Sequence, residues 1–313
     1  MLDLQGLAGL RSLPAGCAMT IGNYDGVHVG HQAILAEVRR LAGGGPTALV
    51  TFEPHPLTVL RPGHAPPRLT TVAQRRELVE RAGIMHLVAL TPTPDTLGLT
   101  AMEFWHILRD DVGPAHVVEG ESFNFGKDRG GTIERLIEWS ADTSVRVHRT
   151  PSRECVLNDR TIVNVSSSIT RWLLGYGRVE DAAICLGRPY ELVGTVIRGF
   201  QRGRTIGVPT ANLECGDQLV PADGVYAGTC EVDGQAYPVA LSIGTTPTFS
   251  QRRYQVEAHL VGYSGDLYGR EIRLRITRWL RDQWKFPSLD SLKSQLARDI
   301  ETAAVEGLGG LVA

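Results

Sequence analysis

Two folds in tandem are predicted by this sequence: a parallel α/β sheet over residues 1–186, and an antiparallel β-barrel with a C-terminal helix over residues 187–313. Three observations carry the prediction. Apolar strand-like runs alternate with helical patterns through the first half, which implies a parallel sheet with helices on both faces. From Tyr190 onward, short β-rich runs with frequent glycine follow one another without intervening helices, the pattern of a barrel. A chain of 313 residues is long for one core and comfortable for two.

The elements follow in order. Ala18–Ile21 is an apolar run that enters a Gly/Asn/Asp-rich turn. A helical pattern then runs through Ala33, Ile34, Leu35, Val38 and Leu41. Further strand-like runs are Thr47–Phe52, His86–Leu90, Ala115–Val118 and Val145–His148, with helical patterns at Val72–Ala82 and Ala101–Arg109. Two helical segments, Ser167–Leu174 and Val179–Leu186, end the first half, so the boundary is expected near Gly187. The barrel strands are expected at Glu191–Ile197, Gly224–Val232, Gln235–Ser242, Gln255–Val261 and Glu271–Trp279. A closing helix at about 288–306 carries Leu289, Leu292, Leu296 and Ile300 at helical spacing. Ligands of open α/β sheets bind beyond the carboxyl ends of the strands. The turn after Ile21, the segment Thr51–Pro56 and the segment Gly120–Gly126 are therefore expected on one edge.

Composition narrows the function. A 42% hydrophobic and 21% charged chain describes an ordinary globular protein, and a net charge of −2 offers no basic field for nucleic acid. No stretch approaches the length of a membrane span. Cys17, Cys155, Cys185, Cys215 and Cys230 are scattered singly, which indicates neither a zinc site nor a disulfide framework and fits a reducing cytoplasm. No GxxxxGK[ST] loop is present, so an ATP site here is not a P-loop. Oligomeric state is not readable.

The most informative stretch is Ile21–His31. A strand, a tight turn and a helix start make an anion site, because unpaired backbone N–H groups and the positive end of the helix dipole face the ligand. His28 and His31, at i and i+3, project to one side of the first turn and suit the oxygens of a phosphate whose charge changes in reaction. Gly22, Gly26 and Gly30 allow sharp turning and close approach. The histidine spacing by itself also suits a metal pair or two surface histidines. The full run GNYDGVHVGH resembles the HxGH signature of nucleotidyltransferases, in the form found in bacterial bifunctional riboflavin kinase/FAD synthetases. Tyr24 stands where that family usually has Phe.

The resemblance implies a Rossmann-like first domain that transfers the adenylyl group of ATP to FMN, releasing pyrophosphate and giving FAD. His28 and His31 would stabilise the pentacoordinate α-phosphate, with Gly22, Asn23, Asp25 and Gly30 around the nucleotide. Ser166, Ser167 and Arg171 match a family motif that holds the ATP phosphates, with Arg171 on the departing pyrophosphate. Ile169 stands there where a basic residue is usual; the serines also read simply as N-caps. Phe52, Pro54, His55 and Pro56 belong to a motif that shapes the nucleotide and flavin pocket. Ser122 and Asn124 lie in a second flavin-side segment, and Ser122 occupies a place usually held by Asp or Asn.

The second strong signal is Gly199–Leu213. Gly199, Gly203 and Gly207 frame an arginine-rich loop that includes Arg204 and can wrap a phosphate. Thr210 and Asn212 offer a hydroxyl and an amide carbonyl at i and i+2, hard oxygen ligands suited to Mg²⁺. Taken by themselves these residues also read as a hairpin with capping side chains. The PTAN run, Val256–His259, Asp266–Gly269 and Leu280–Phe286 resemble the riboflavin kinase domain in the right order. That resemblance implies Mg²⁺-dependent phosphorylation of riboflavin by ATP, with Glu257 as the base. Gln283 stands where Glu is common, and Ser242 and Thr246 depart from the usual NIGxRPT pattern. The expected function is thus riboflavin to FMN in residues 187–313 and FMN to FAD in residues 1–186. The alternative is a riboflavin kinase with a weakened or inactive adenylyltransferase domain.

Overall fold

The structure is a computed structural model that describes residues 1–199, 207–248 and 251–309. The chain forms two compact units, Met1–Pro66 with Val72–Glu154, and Pro67–Thr71 with Cys155–Ala313.

In the first unit, β1 (Leu2–Gln5), α1 (Gly6–Arg11), β2 (Ala18–Ile21), α2 (Val29–Ala42), β3 (Thr47–Phe52) and α3 (Leu57–Leu60) come first. They are followed by α4 (Val72–Arg81), β4 (His86–Leu90), α5 (Pro94–Gly98) and α6 (Ala101–His106), which continues as a π-helix over Ile107–Val112. Then come β5 (His116–Gly120), the short strands β6 (Asn124–Phe125) and β7 (Gly131–Thr132), α7 (Ile133–Ser140) and β8 (Arg146–Thr150). Six parallel strands make the main sheet in the order β1-β4-β3-β2-β5-β8.

Both faces of this sheet are buried, and the strand period of two divides its residues between two cores. Met19, Ala48, Val50, Val88 and Val117 pack with Leu10, Phe104, Trp105, Leu108 and Leu136. Their neighbours Ala18, Leu49, Leu87 and Val118 pack with Leu35, Val38 and Val79 of α2 and α4. The sheet's order reverses at β2, which has β3 on one side and β5 on the other. The crevice beyond their carboxyl ends is the topological switch point, where ligands of such sheets bind. The turns after β2, β3 and β5 all open onto this edge.

The second unit begins with the hairpin β9 (Glu154–Val156) and β10 (Ile162–Asn164), then α8 (Ser167–Gly175) and α9 (Val179–Leu186). A closed antiparallel barrel follows, of β11 (Tyr190–Ile197), β12 (Ala211–Glu214), β13 (Gly224–Val232), β14 (Gln235–Thr248), β15 (Gln251–Leu260) and β16 (Glu271–Arg281), and α10 (Leu289–Gly309) ends it. The barrel order is β11-β12-β15-β14-β13-β16. Five strands were expected from the sequence. The sixth, β12, is short and holds Ala211 and Asn212 of the PTAN run; β14 runs on past Ser242 to Thr248, and β15 begins before Gln255, at Gln251.

The two helices α8 and α9, placed by the sequence reading at the end of the first domain, pack with the barrel. Leu173, Leu174, Val179, Ala182, Cys185 and Leu186 share one core with Leu192, Tyr226, Leu241 and Ile276. Leu69 lies in the same core. Helix α10 is tied to β16 by Arg281, whose guanidinium donates to Asp299 with Nη2–Oδ2 at 2.7 Å. None of the five cysteines is in a disulfide. Among the described residues no helix is long and apolar enough to cross a membrane.

Candidate active sites

The first site forms where β2 gives way to α2. His28 is the N-cap of α2, and its Nδ1 accepts the His31 backbone N–H at 3.3 Å. With Nδ1 accepting, the neutral ring carries its proton on Nε2. The His28 and His31 rings stack, with centroids 3.6 Å apart and planes 16° from parallel. The Tyr24 ring lies 4.4 Å from that of His31. Burial, and then His28, hold the His31 pKa well below the ordinary histidine value, so this ring stays neutral in the folded protein. Its Nδ1 is buried without a hydrogen-bond partner.

The turn that carries these rings is bent sharply. Gly26 has φ 82°, and Tyr24 and Val27 also adopt positive φ, 48° and 41°. Such angles are uncommon for bulky or β-branched residues and persist where the surroundings over-determine them. Asn23 supplies much of that restraint. Its carbonyl accepts from Thr51 Oγ1 at 3.3 Å and from Arg75 Nη1 at 3.0 Å, and Arg75 Nη2 also donates to Glu53 at 2.7 Å. The Asn23 amide meets His55 Nε2 at 3.2 Å, while His55 Nδ1 accepts from the Leu57 N–H. The turn after β2 and the Phe52–Pro56 turn after β3 are thus fastened together. Arg75 escaped the sequence reading, since a helix arginine carries no motif.

The remaining residues expected in the first site are distributed as follows. Gly22 directly follows β2, Asp25 lies in the turn, and Gly30 is the second residue of α2. Ser122 and Asn124 follow β5, and Asn124 Nδ2 donates to the Ser122 carbonyl at 2.7 Å. Ser166, Ser167 and Arg171 belong to the second unit. Ser166 is the N-cap of α8, its side chain accepting the Ile169 N–H, and Arg171 Nε donates to the Pro67 carbonyl at 2.8 Å.

The second site is on the outer face of the barrel. Val256, Ala258 and Leu260 fill the interior, so the alternate residues Gln255, Glu257 and His259 face outward. Asn212 on β12 stands directly opposite Glu257 on β15, and Ser242 on β14 stands opposite it on the other side. Directly opposed residues of this kind have Cβ atoms about 4.5–5.5 Å apart. Gln255 Nε2 donates to Glu257 Oε1 at 2.7 Å and fixes the carboxylate. His259 Nδ1–H donates to the Pro209 carbonyl at 2.8 Å, holding the PTAN segment against β15.

Two departures from the family pattern meet here. Gln283 Nε2 donates to Ser242 Oγ at 2.9 Å and to the Ile243 carbonyl at 3.1 Å. A carboxylate at position 283 would face that carbonyl with no proton to give. Gly199 lies so close to Asn212 that a Cβ would fall 2.3 Å from the amide nitrogen. The backbone thus cradles the Asn212 side chain. Gly207 has φ 84°, whereas Gly203 and Arg204 lie outside the described residues. Among the described residues no cluster of three or more His, Cys, Asp or Glu side chains could cage a metal. Thr210 and Asn212 instead present neutral oxygens, which fits Mg²⁺ bound mostly by phosphates and water.

A switch-point α/β sheet with paired imidazoles at a helix start, joined to a filled barrel with an outward Asn212–Glu257 pair, has the layout of a two-part nucleotide-dependent transferase. Comparison with known proteins narrows this class. Residues 10–166 match the FAD synthetase family model, and residues 186–305 match the riboflavin kinase model. The chain is 35% identical over 304 residues to the bifunctional riboflavin kinase/FMN adenylyltransferase of Pseudomonas fluorescens, covering 96% of each. It is 34% identical over 307 residues to the protein of that name in Escherichia coli K12, again covering 96% of each. The crystal structure of a protein called a macrolide-efflux protein, from Streptococcus pneumoniae, matches with TM-score 0.85 at 28% identity, covering 97% of this chain and 99% of that one. The chain belongs to the bifunctional riboflavin kinase/FMN adenylyltransferase family.

Proposed function

We propose that this chain makes FMN from riboflavin in its barrel and FAD from FMN in its α/β unit, spending one ATP at each step. The observation that carries the reading is the stacked His28–His31 pair at the N-terminus of α2, in a chain whose barrel also sets Asn212 opposite Glu257.

In the adenylylation, an FMN phosphate oxygen attacks the α-phosphorus of ATP. One P–O bond forms, the bond to the β-phosphate oxygen breaks, and pyrophosphate leaves. Little covalent chemistry falls to the protein, so positioning and charge stabilisation supply the rate. His28 and His31 point ring N–H donors at the α-phosphate, and the free amides at the start of α2 add to them. Gly22, Asn23, Asp25 and Gly30 line the nucleotide. Phe52, Pro54, His55, Pro56, Ser122 and Asn124 shape the flavin side, and Ser166, Ser167 and Arg171 serve the ATP phosphates.

In the kinase reaction, Glu257 takes the proton of the riboflavin 5′-hydroxyl as its oxygen attacks the γ-phosphorus and ADP departs. Gln255 orients the carboxylate. Thr210 and Asn212 would hold Mg²⁺, which when bound neutralises charge on the transferred phosphate. Gly199, Gly203, Arg204 and Gly207 border the ATP phosphates. The scattered free thiols suit a cytoplasmic setting.

One assay tests the whole reading. Purified protein is incubated with Mg-ATP and riboflavin, and riboflavin, FMN and FAD are separated. Successive appearance of FMN and FAD is expected. Accumulation of FMN with no FAD, even when FMN is supplied, would overturn the adenylylation assignment.

A further inference from the structure

We propose that Glu119 is a positioning residue of the adenylyl-transfer site: where β2 and β5 part, its carboxyl replaces the missing strand partner and, through Thr20 and Tyr24, fixes the seat of His31. This rests on the assignment of His28 and His31 to adenylyl transfer.

The ladder between β2 and β5 stops early. It pairs Ala18 with His116 and Met19 with Val117, and then the strands diverge. The Gly22 N–H still finds β3, donating to the Val50 carbonyl at 2.9 Å. The Ile21 N–H faces the opened side, where β5 offers no carbonyl. Glu119 supplies the acceptor: its Oε1 takes the Ile21 N–H at 2.6 Å, and the residue is 2% exposed. A buried N–H left unpaired at this point would cost about as much as a lost hydrogen bond.

The same oxygen terminates a second chain of donors. Thr20 Oγ1 donates to Glu119 Oε1 at 3.4 Å and lies 2.7 Å from the Tyr24 hydroxyl. With the Thr20 proton committed to Glu119, Tyr24 must donate to Thr20. Tyr24 is thereby held at a positive φ with its ring against His31, which is itself stacked on His28. Burial raises the Glu119 pKa well above the ordinary carboxyl value, and the Ile21 and Thr20 donors oppose that rise. A neutral carboxyl with its proton on Oε2 still accepts both hydrogen bonds at Oε1, though each is weaker than to an ionised carboxylate. The glutamine amide copies that neutral form, oxygen for oxygen.

Steady-state rates of FMN adenylylation and of riboflavin phosphorylation, measured separately on the full chain, test the assignment. Glu119→Ala should lower the adenylylation kcat by ~10–100-fold, since small misplacement of catalytic groups costs this much, with little change in KM for ATP. Its kinase rate should stay at the wild-type value, which reports an intact second unit. Glu119→Gln should restore adenylylation to within about threefold, because the acceptor is kept. A wild-type kcat for Glu119→Ala, or equal loss in Glu119→Gln, would overturn the proposal. Tyr24→Phe keeps the ring and removes the hydroxyl. A lowered kcat supports the link to His31, and an unchanged one rejects it, even if Glu119→Ala does not fold. His31→Ala separates the two levels of argument. If it leaves adenylylation intact, the site assignment itself fails; if it abolishes adenylylation while Glu119→Ala does not, only the role of Glu119 falls.

Discussion

His31 and Glu257 are the residues proposed to carry the two chemistries, and each gives a direct prediction. His31→Ala should reduce FAD formation by ~10²–10³-fold, the usual cost of one preorganised donor, and leave FMN formation unchanged. Glu257→Gln should reduce FMN formation by roughly 10²–10⁴-fold, since the amide keeps the shape but cannot take a proton, while FAD formation from supplied FMN persists. Assaying both half-reactions for both variants checks the pair, and loss of the same half-reaction in each would refute the two-site reading. The low pKa of His31 adds a stability consequence. The native ring refuses a proton that the unfolded chain accepts below about pH 6.5. The stability of the first unit is therefore undiminished by His31 above that pH and is lost as pH falls toward the folded pKa. The melting temperature of the first unit should fall from pH 7.5 to pH 5.5, and that of His31→Gln should fall less per pH unit. His28, His31 and Asn23 were legible in the sequence because they share one short motif. Arg75 and Glu119 were not. In the sequence they are an ordinary helix arginine and strand glutamate, and only the closure of the sheet brings them to the turn.

The strands with uniform apolar character, β2, β3 and β4, have the same limits in sequence and structure. What the sequence missed had a weak or altered period. Strand β1 is mostly exposed at the sheet edge and has no apolar run. Strand β12 spans four residues inside a polar, Gly/Pro-flanked segment. The helix from Ala101 was expected to end at Arg109, but it widens into a π-helix up to Val112, which shifts the apolar spacing and still buries Leu108 and Val112. At this scale the Arg281–Asp299 pair is the most exposed to mutation, because its partners are only 10% and 5% accessible. Asp299→Ala should destabilise the second unit by about 3–5 kcal/mol, as an unpaired buried guanidinium remains. Urea unfolding followed through kinase activity would show the loss. A change below about 1 kcal/mol, the range of exposed pairs, would mean that water reaches Arg281 freely.

For the molecule as a whole, the division of labour and the division of packing fall at different places. The kinase family model begins at residue 186, whereas the packed unit containing the barrel begins again at Cys155. A fragment starting at residue 155 should therefore fold and phosphorylate riboflavin. One starting at residue 187 gives up Leu173, Leu174, Val179 and Cys185 from the shared core and should be far less stable. Equal melting temperatures for the two fragments would show that α8 and α9 add nothing to the barrel. Even the longer fragment lacks Leu69, which is 1% exposed in that core, and the Leu69 carbonyl that accepts from Gln218 at 3.1 Å.

The five residues Pro67–Thr71 have a consequence for synthesis on the ribosome. Leu69 emerges early, yet the next residue of its core in sequence order is Leu157. At 5–20 residues per second, roughly 90 intervening residues keep that leucine waiting for ~4–18 s. Through this interval the Leu69 side chain stays in water, and Gln218, which donates to its carbonyl in the folded chain, has not yet been made.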